Sequence, residues 1–231
     1  MIMQHFNMHE LHEQYINNDP FPHVVIDNFL QTSIAESMLS ELEEQDISDW
    51  EYDPHSEQIN KWSMPNLRRL PTFTSKTLEW FNTADCIQLF ENLTGISGLI
   101  ADPQYLGGGV HVTSRGGKLG IHSDFNIHPQ YKTHRRLNAL LFLNKDWNPD
   151  WNGQLQLWSS DMKQCVHSIE PEFNRLVIFN VNDTSFHGVP EMLCCPKEKR
   201  RISLALYYYT LDRPEHEKSD FHWALWQKPN L

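Results

Sequence analysis

The sequence predicts a mainly β protein with supporting helices, whose core is a sandwich or jelly roll of antiparallel strands. Apolar segments after Gly95 are short, and turn residues such as the Asn152-Gly153 pair separate them roughly every ten residues. This spacing is typical of antiparallel strands. Strands are expected at residues 137–144, 154–158, 175–180 and 202–210.

Residues 1–95 are expected to form an α/β region that supports the core. A short strand is predicted at 23–27 and a helix at 33–44, where Ser33 and Glu36 have the spacing of a capping box. One apolar stripe on this helix indicates packing against the rest of the protein. The stripe consists of Ile34, Met38, Leu39 and Leu42.

A second amphipathic helix is predicted at 83–93, and Gly95 just beyond it is a typical helix stop. Its apolar stripe contains Cys86, Ile87, Phe90 and Leu93. We therefore expect a support region at 1–95, a jelly-roll domain at 96–212 and a C-terminal tail at 213–231, which packs back on the core or covers a pocket.

Composition excludes several classes of protein. The chain of 231 residues has 19 Lys+Arg and 30 Asp+Glu, a net charge of −11, so it should repel nucleic acid. No apolar stretch approaches the roughly 18 residues of a membrane span, and the first residues lack the pattern of a signal peptide. The 4 Cys show no CxxC spacing. We expect a cytoplasmic protein that binds neither nucleic acid nor membrane.

One group of residues indicates metal chemistry. His122 and Asp124 are two apart, so on a strand both side chains face the same way, about 7 Å apart along the chain. His187 directly follows a predicted strand and could complete a triangle. Two imidazoles and one carboxylate form the facial triad of non-haem Fe(II) oxygenases. In a chain with 13 His, however, this spacing alone is a weak signal.

A second pair of residues strengthens the interpretation. Arg201 and Ser203 begin the last predicted strand and share one face of it. A guanidinium beside a hydroxyl is suited to binding a carboxylate, because arginine can hold both carboxylate oxygens. The alternative is that Arg201 is a surface charge, as we expect for Arg200.

These residues and two further segments resemble the Fe(II)- and 2-oxoglutarate-dependent dioxygenases, in particular their prolyl 4-hydroxylase-like branch. The segments are 143–147 and 169–179, and the resemblance extends from about Gly95 to Asp212. It implies a double-stranded β-helix, the jelly-roll or cupin-like core. It also implies Fe(II) as the metal, 2-oxoglutarate and O2 as co-substrates, and ascorbate as an optional addition.

The resemblance also implies roles for single residues. His122, Asp124 and His187 would be both the metal ligands and the catalytic centre, and Arg201 would bind the distal carboxylate of 2-oxoglutarate. Ser203 lies where many members of the superfamily place a second hydroxyl on that carboxylate.

The sequence departs from the pattern of the oxygen-sensing prolyl hydroxylases at two places. Phe142 stands where they carry a tyrosine that helps to hold 2-oxoglutarate. Anchoring would then depend on Arg201 with Ser203 or with another donor such as Asn138. The tyrosines expected about ten residues before the first ligand are also missing, since that stretch is 111–117.

The expected function is hydroxylation of a C–H bond with release of succinate and CO2. Retention of Asp124 favours hydroxylation, because related halogenases have a small residue there. A prolyl group in a peptide or protein is the first candidate substrate. The alternatives are a small molecule (an amino acid, a sugar or a lipid-linked intermediate) and, in another class, a catalytically silent jelly-roll binding module. The oligomeric state is left open.

Overall fold

The α-helices lie in the first 94 residues, interleaved with three strands, and most of the curled sheet follows them. The structure is a computed structural model that describes residues 2–52 and 56–229. Within these residues the α-helices are α1 (Met8–Asn17), α2 (Thr32–Glu43), α3 (Thr72–Phe81) and α4 (Ala84–Thr94). Short 3-10 helices occur at Leu67–Arg69, Pro149–Trp151 and Glu215–Glu217. Both predicted helices are confirmed as α2 and α4, whereas α1 and α3 were not predicted.

The ends of these helices test the predicted caps. Thr83 caps α4 by accepting a hydrogen bond from the backbone N–H of Cys86, and Gly95 ends it in the left-handed conformation, as predicted. The capping box predicted for α2 at Ser33 and Glu36 is wrong. The N-cap residue is Gln31, and its side chain makes no capping hydrogen bond. The Glu36 carboxylate instead accepts a 2.6 Å hydrogen bond from Lys145 Nζ, which draws it away from the helix end.

The sheet formed by the described residues has twelve strands. They are β1 (His23–Ile26), β2 (Glu51–Tyr52), β3 (Gln58–Met64), β4 (Ile100–Ala101), β5 (Gly109–Ser123), β6 (His134–Phe142), β7 (Leu155–Trp158), β8 (Cys165–Ile169), β9 (Arg175–Asn180), β10 (His187–Val189), β11 (Arg200–Thr210) and β12 (Leu225–Trp226). The five predicted strands are confirmed as β1, β6, β7, β9 and β11, with ends shifted by at most a few residues.

The strands pair antiparallel in the order β1-β9-β6-β11-β5-β10-β7-β8 and form the double-stranded β-helix. The long strand β5 is the centre of this arrangement, since it also pairs with β3 and β12. The predicted jelly-roll class is therefore confirmed.

Alternation along β11 separates the hydrophobic core from the interior of the roll. Leu204 and Leu206 are buried in the main apolar cluster, which also contains the packed faces of the helices. Arg201, Ser203 and Tyr207 point the other way and line a cavity inside the roll. The period of two along a strand therefore places polar side chains together in an otherwise apolar protein.

Two strands from the N-terminal 95 residues pair with strands of the later part of the chain. Strand β1 pairs with β9 along its whole length, and β3 pairs with β5. The division of the chain at residue 95 stays a prediction.

Asn174 ties the N-terminal region to the sheet. Its side chain is fully buried, its Oδ1 accepts a 2.9 Å hydrogen bond from Leu30 N–H, and its Nδ2 donates a 2.8 Å bond to Leu30 O. Asn174→Ala should lower the free energy of unfolding by about 2–4 kcal/mol, because two buried backbone groups lose their partners. Urea unfolding monitored by circular dichroism measures this loss.

Asn28→Ala is the matched control for this prediction. Asn28 has the same left-handed backbone, with φ of 54° against 61° for Asn174, but it is exposed. Both variants therefore carry the backbone cost of alanine at positive φ, and only one loses buried hydrogen bonds. Equal destabilisation by the two variants would contradict the role given to the Asn174 side chain.

Candidate metal centre

Three possible metal ligands meet at one end of the cavity. His122 lies near the end of β5, and His187 begins β10 directly opposite it in the register. Asp124 follows two residues after His122. The ligand atoms of the three side chains lie within 4.8 Å of one another. The structure thus brings together the group that the spacing of His122 and Asp124 predicted.

Backbone contacts fix both imidazoles with their lone pairs towards the centre. His122 Nδ1 lies 2.8 Å from Gly120 O, and His187 Nδ1 lies 2.9 Å from Ser185 O. A carbonyl oxygen only accepts, so each Nδ1 carries the hydrogen and each Nε2 carries a lone pair. The two Nε2 atoms lie 3.7 and 3.5 Å from Asp124 oxygens. Electron-pair donors that converge in this way fit a divalent cation.

Arg135 and Asn138 hold the carboxylate of this group. Asn138 Nδ2 donates a 2.7 Å hydrogen bond to Asp124 Oδ2, and Arg135 Nη2 lies 3.2 Å from the same oxygen. Arg135 also donates two hydrogen bonds to Asn138 Oδ1, at 3.0 and 2.7 Å. Its guanidinium lies over the Tyr207 ring, 3.4 Å from the centroid. The carboxylate orientation is therefore fixed by a buried network, which the sequence did not predict.

The electrostatics keep this centre ready for a cation. Burial alone would raise the pKa of Asp124, but the Arg135 guanidinium and the two imidazoles outweigh it, so the pKa lies well below its usual range. Burial lowers the pKa of His187 to about 4, although the Asp124 carboxylate opposes this shift. At neutral pH the carboxyl group is ionised and His187 is neutral, which are the forms that bind metals.

Arg201 and Ser203 line the same cavity, which has a volume of about 250 Å³. Arg201 is buried, its Nε donates a 2.7 Å hydrogen bond to Gly153 O, and its guanidinium lies 4.9 Å from the centre of the Phe142 ring. No carboxylate among residues 2–52 and 56–229 forms an ion pair with it. Burial lowers its pKa to about 10. A buried cation without an anionic partner is suited to an anionic ligand.

The cavity contains further residues that sequence reasoning missed as site residues. His111, Lys61 and Tyr207 line it, although they come from three different strands. The His111 spacing carried no signal, since it matches no ligand motif. The tail was expected to pack on the core or cover a pocket, and Trp226 does both, with its ring 4.8 Å from that of His122.

Asn126 anchors this tail. Its Nδ2 donates 2.8 Å hydrogen bonds to Ser219 Oγ and Asp220 O, and its Oδ1 accepts a bond from His222 N–H. Asn126 therefore fixes the wall of the cavity and does not line it, unlike Phe125.

In the described part of the chain, no helix has the length and apolar character needed to cross a membrane.

The model of the 2OG-Fe(II) oxygenase superfamily matches residues 108–209. This segment runs from β5 to β11 and contains all three possible metal ligands together with Arg201. The match covers less than half of the chain, and over this segment the chain is similar to the 2OG-Fe(II) oxygenase superfamily. Fe(II) and 2-oxoglutarate are the metal and co-substrate of this superfamily, and both fit the donor group and the buried arginine of the cavity.

Individual relatives are similar over most of the chain. Prolyl 3-hydroxylase OGFOD1 of Mus musculus is 27% identical over 210 residues, covering 86% of this chain and 35% of the relative. The chain thus spans about a third of the length of the curated relatives it matches.

Solved structures share the fold. A prolyl hydroxylase from Trichoplax adhaerens, in complex with a hypoxia inducible factor oxygen degradation domain peptide fragment, is 20% identical with a TM-score of 0.59, covering 87% of this chain and 90% of that one. HygX from Streptomyces hygroscopicus, with nickel, 2-oxoglutarate and hygromycin B bound, is 14% identical with a TM-score of 0.58, covering 86% of each chain.

Proposed function

We propose that the protein is an Fe(II)- and 2-oxoglutarate-dependent dioxygenase that hydroxylates a prolyl group of a peptide or protein. The observation that carries this proposal is that one cavity holds the His122, Asp124 and His187 group together with the unpaired cation of Arg201. A metal and a dicarboxylate would thus be bound side by side.

Each residue has a role in this proposal. His122, Asp124 and His187 hold Fe(II), while Arg201 and Ser203 hold the distal carboxylate of 2-oxoglutarate. Bound iron supplies the oxidation of the substrate C–H bond by O2, coupled to conversion of 2-oxoglutarate to succinate and CO2. Asn138, a candidate co-substrate donor from the sequence, uses its amide on Asp124 and Arg135, so we assign it to orienting the carboxylate ligand.

Aromatic walls of the cavity would limit the access of water to the centre. Phe125 and Trp226 line it beside the metal ligands, and Trp226 is held there by the pairing of β12 with β5. A dry site protects the reaction from side chemistry and strengthens the electrostatic contacts within it. The protein thereby positions both reactants while the bound metal supplies the oxidation.

A prolyl substrate is favoured by the relatives, since a prolyl 3-hydroxylase and a peptide-bound prolyl hydroxylase are among them. A small-molecule substrate is the second candidate. It is favoured by the modest volume of the cavity, about 250 Å³, and by the likeness to HygX. A silent binding module is the least favoured, because it has no need for three metal ligands and Arg201 in one cavity.

Anaerobic titration with Fe(II) and 2-oxoglutarate tests the enzyme class. The folded protein should develop the weak metal-to-ligand charge-transfer absorption of a chelated 2-oxo acid. Its absence from folded, metal-loaded protein would exclude the proposal. Proline-containing peptides and free small molecules are then compared as stimulants of succinate release, and stimulation by small molecules alone would favour the second candidate.

Arg201→Ala should chiefly raise the concentration of 2-oxoglutarate needed for half-maximal succinate formation, by about 10-fold or more, because a charge-assisted bidentate contact is lost. Steady-state kinetics with saturating Fe(II) measure this change. Arg200→Ala is the control, since its guanidinium donates instead to Gln45 O, just beyond the end of α2. An unchanged requirement in Arg201→Ala would remove this residue from the co-substrate site.

We also propose a cytoplasmic location. All four cysteines are free thiols, which suits a reducing compartment.

A further inference from the structure

We propose that His111 completes the receptor for the distal carboxylate of 2-oxoglutarate, by donating a hydrogen bond from Nε2 beside Arg201 and Ser203. The inference rests on the proposed function. It assigns the anchoring role to an imidazole on β5, in a chain that has Phe142 where the resembling hydroxylases carry tyrosine.

The register of three neighbouring strands places His111 at this position. Ser203 on β11 lies opposite His111 on β5, and on its other side it lies opposite Phe142 on β6. Two residues along, Arg201 lies opposite Thr113. His111 and Ser203 therefore form one row across the inner surface of the roll, and Arg201 begins the next row.

This position is at the arginine end of the cavity. Along β11, Ser203 is two residues from Arg201 but four from Tyr207. The Tyr207 ring packs against the Arg135 guanidinium, which pairs with Asp124 at the metal end of the cavity. A 2-oxo acid bound at the metal would therefore extend its distal carboxylate towards the row that holds His111.

The imidazole of His111 lacks a partner for one nitrogen. Its side chain lines the cavity and the residue is 8% exposed, yet Nε2 has no hydrogen-bond partner in the described residues. A buried polar atom without a partner is costly, and native structures usually satisfy it with a ligand, an ion or water. A carboxylate held by Arg201 would bring an acceptor oxygen to this end of the cavity.

The charges around His111 favour an anion at this place. Burial lowers the pKa of His111 well below its usual value, and Lys61 and Arg201 lower it further, although the carbonyls of Gly107 and Gly108 oppose the shift. The ring is therefore neutral until an anion binds. Because Nε2 has no partner, the two carbonyls face Nδ1, so Nε2 donates once the ring is protonated, and an arriving carboxylate favours that form.

Binding of two 2-oxo acids tests the inference without measuring turnover. The charge-transfer absorption of the anaerobic Fe(II) protein is titrated with 2-oxoglutarate and with 2-oxopentanoate, which lacks the distal carboxylate. His111→Leu should weaken binding of 2-oxoglutarate by about 10-fold or more, the effect of one hydrogen bond to a charged group. It should leave binding of 2-oxopentanoate unchanged. His111→Gln, which retains a donor of similar reach, should recover most of the lost affinity.

His128→Asn is the matched control. His128 is also buried, at 1% exposure, and among the described residues its Nε2 has no hydrogen-bond partner, although Asp102 Oδ2 lies 3.6 Å away. It lines a different cavity beside Tyr209. Its loss should change neither affinity. If His111→Leu does not fold, as judged by thermal unfolding, His111→Asn provides the test, because its shorter side chain cannot reach the same point.

Two results would overturn the inference about His111. One is unchanged affinity for 2-oxoglutarate in the folded variant, and the other is equal weakening for both acids. Failure of the proposed function has a different signature, since the wild-type protein would then show no charge-transfer absorption with either acid.

Discussion

His122→Ala and Asp124→Ala should each reduce succinate formation to the level of a protein-free control. Each change removes one of the three proposed metal ligands, and the remaining pair would not hold Fe(II) with the same geometry. Both variants should also lose the charge-transfer absorption with 2-oxoglutarate. Succinate is measured by mass spectrometry, and metal content is measured after dialysis.

His134→Ala and Asp212→Ala provide matched controls. They remove the same two side-chain types from a pair 3.9 Å apart that does not line the cavity of His122 and Asp124. These variants should keep full succinate formation. Unchanged turnover in His122→Ala or Asp124→Ala would mean that the metal ligands are wrongly assigned.

Arg135→Met should lower the free energy of unfolding of the metal-free protein by about 3–5 kcal/mol, the typical result of breaking a buried ion pair from one side. Arg135 is 1% exposed, and its loss leaves the Asp124 carboxylate buried with no cation beside it. The flat contact with the Tyr207 ring is lost as well. Urea unfolding in the presence of a chelator gives this free energy.

Lys145→Met is the comparison for that variant. Lys145 and Glu36 form a shorter ion pair, at 2.6 Å, but both side chains are about half exposed, with 47% and 48% of their surface accessible. Water and salt screen such a pair, so its loss should cost no more than about 1 kcal/mol. Burial, and not distance, should therefore decide the ranking. A similar cost for the two variants would contradict this account of Arg135.

Metal binding should partly rescue Arg135→Met. A divalent cation at the centre gives Asp124 a new positive partner, so Mn(II) should stabilise the variant more than it stabilises the wild-type protein, provided that both bind it. Thermal unfolding at a series of Mn(II) concentrations measures the difference.

Sequence patterns predicted the parts of the fold that depend on local periodicity. The strand at 175–180 has the predicted bounds, and Gly95 ends α4 as expected. The Arg201-x-Ser203 spacing placed both side chains on the correct face, because a strand alternates with a fixed period of two. The His122-x-Asp124 spacing also predicted two side chains of one site, although Asp124 lies just beyond the end of β5.

The missed features depend on pairing between distant segments. Strand β3 is polar along much of its length and reads as a loop, yet it pairs with β5. His111 reaches the cavity because the register sets it opposite Ser203. Arg135 gave no sign of contact with Asp124, since the turn that joins them is closed by an isolated bridge between Ile127 and His134, which no apolar pattern marks. The periodicity of apolar residues within one segment does not indicate which other segment it will contact.

The pairing of β1 with β9 affects how the protein acquires its structure. His23 pairs with Phe179, so the strand lies next to a segment that follows it much later in the chain. Contacts between such distant segments make folding slow, because a large loop must close before they form. During synthesis β1 is made well before β9, and its apolar residues then have no sheet to join. The cavity is therefore expected to take its final form late, after most of the segment that contains β5 to β11 has been made.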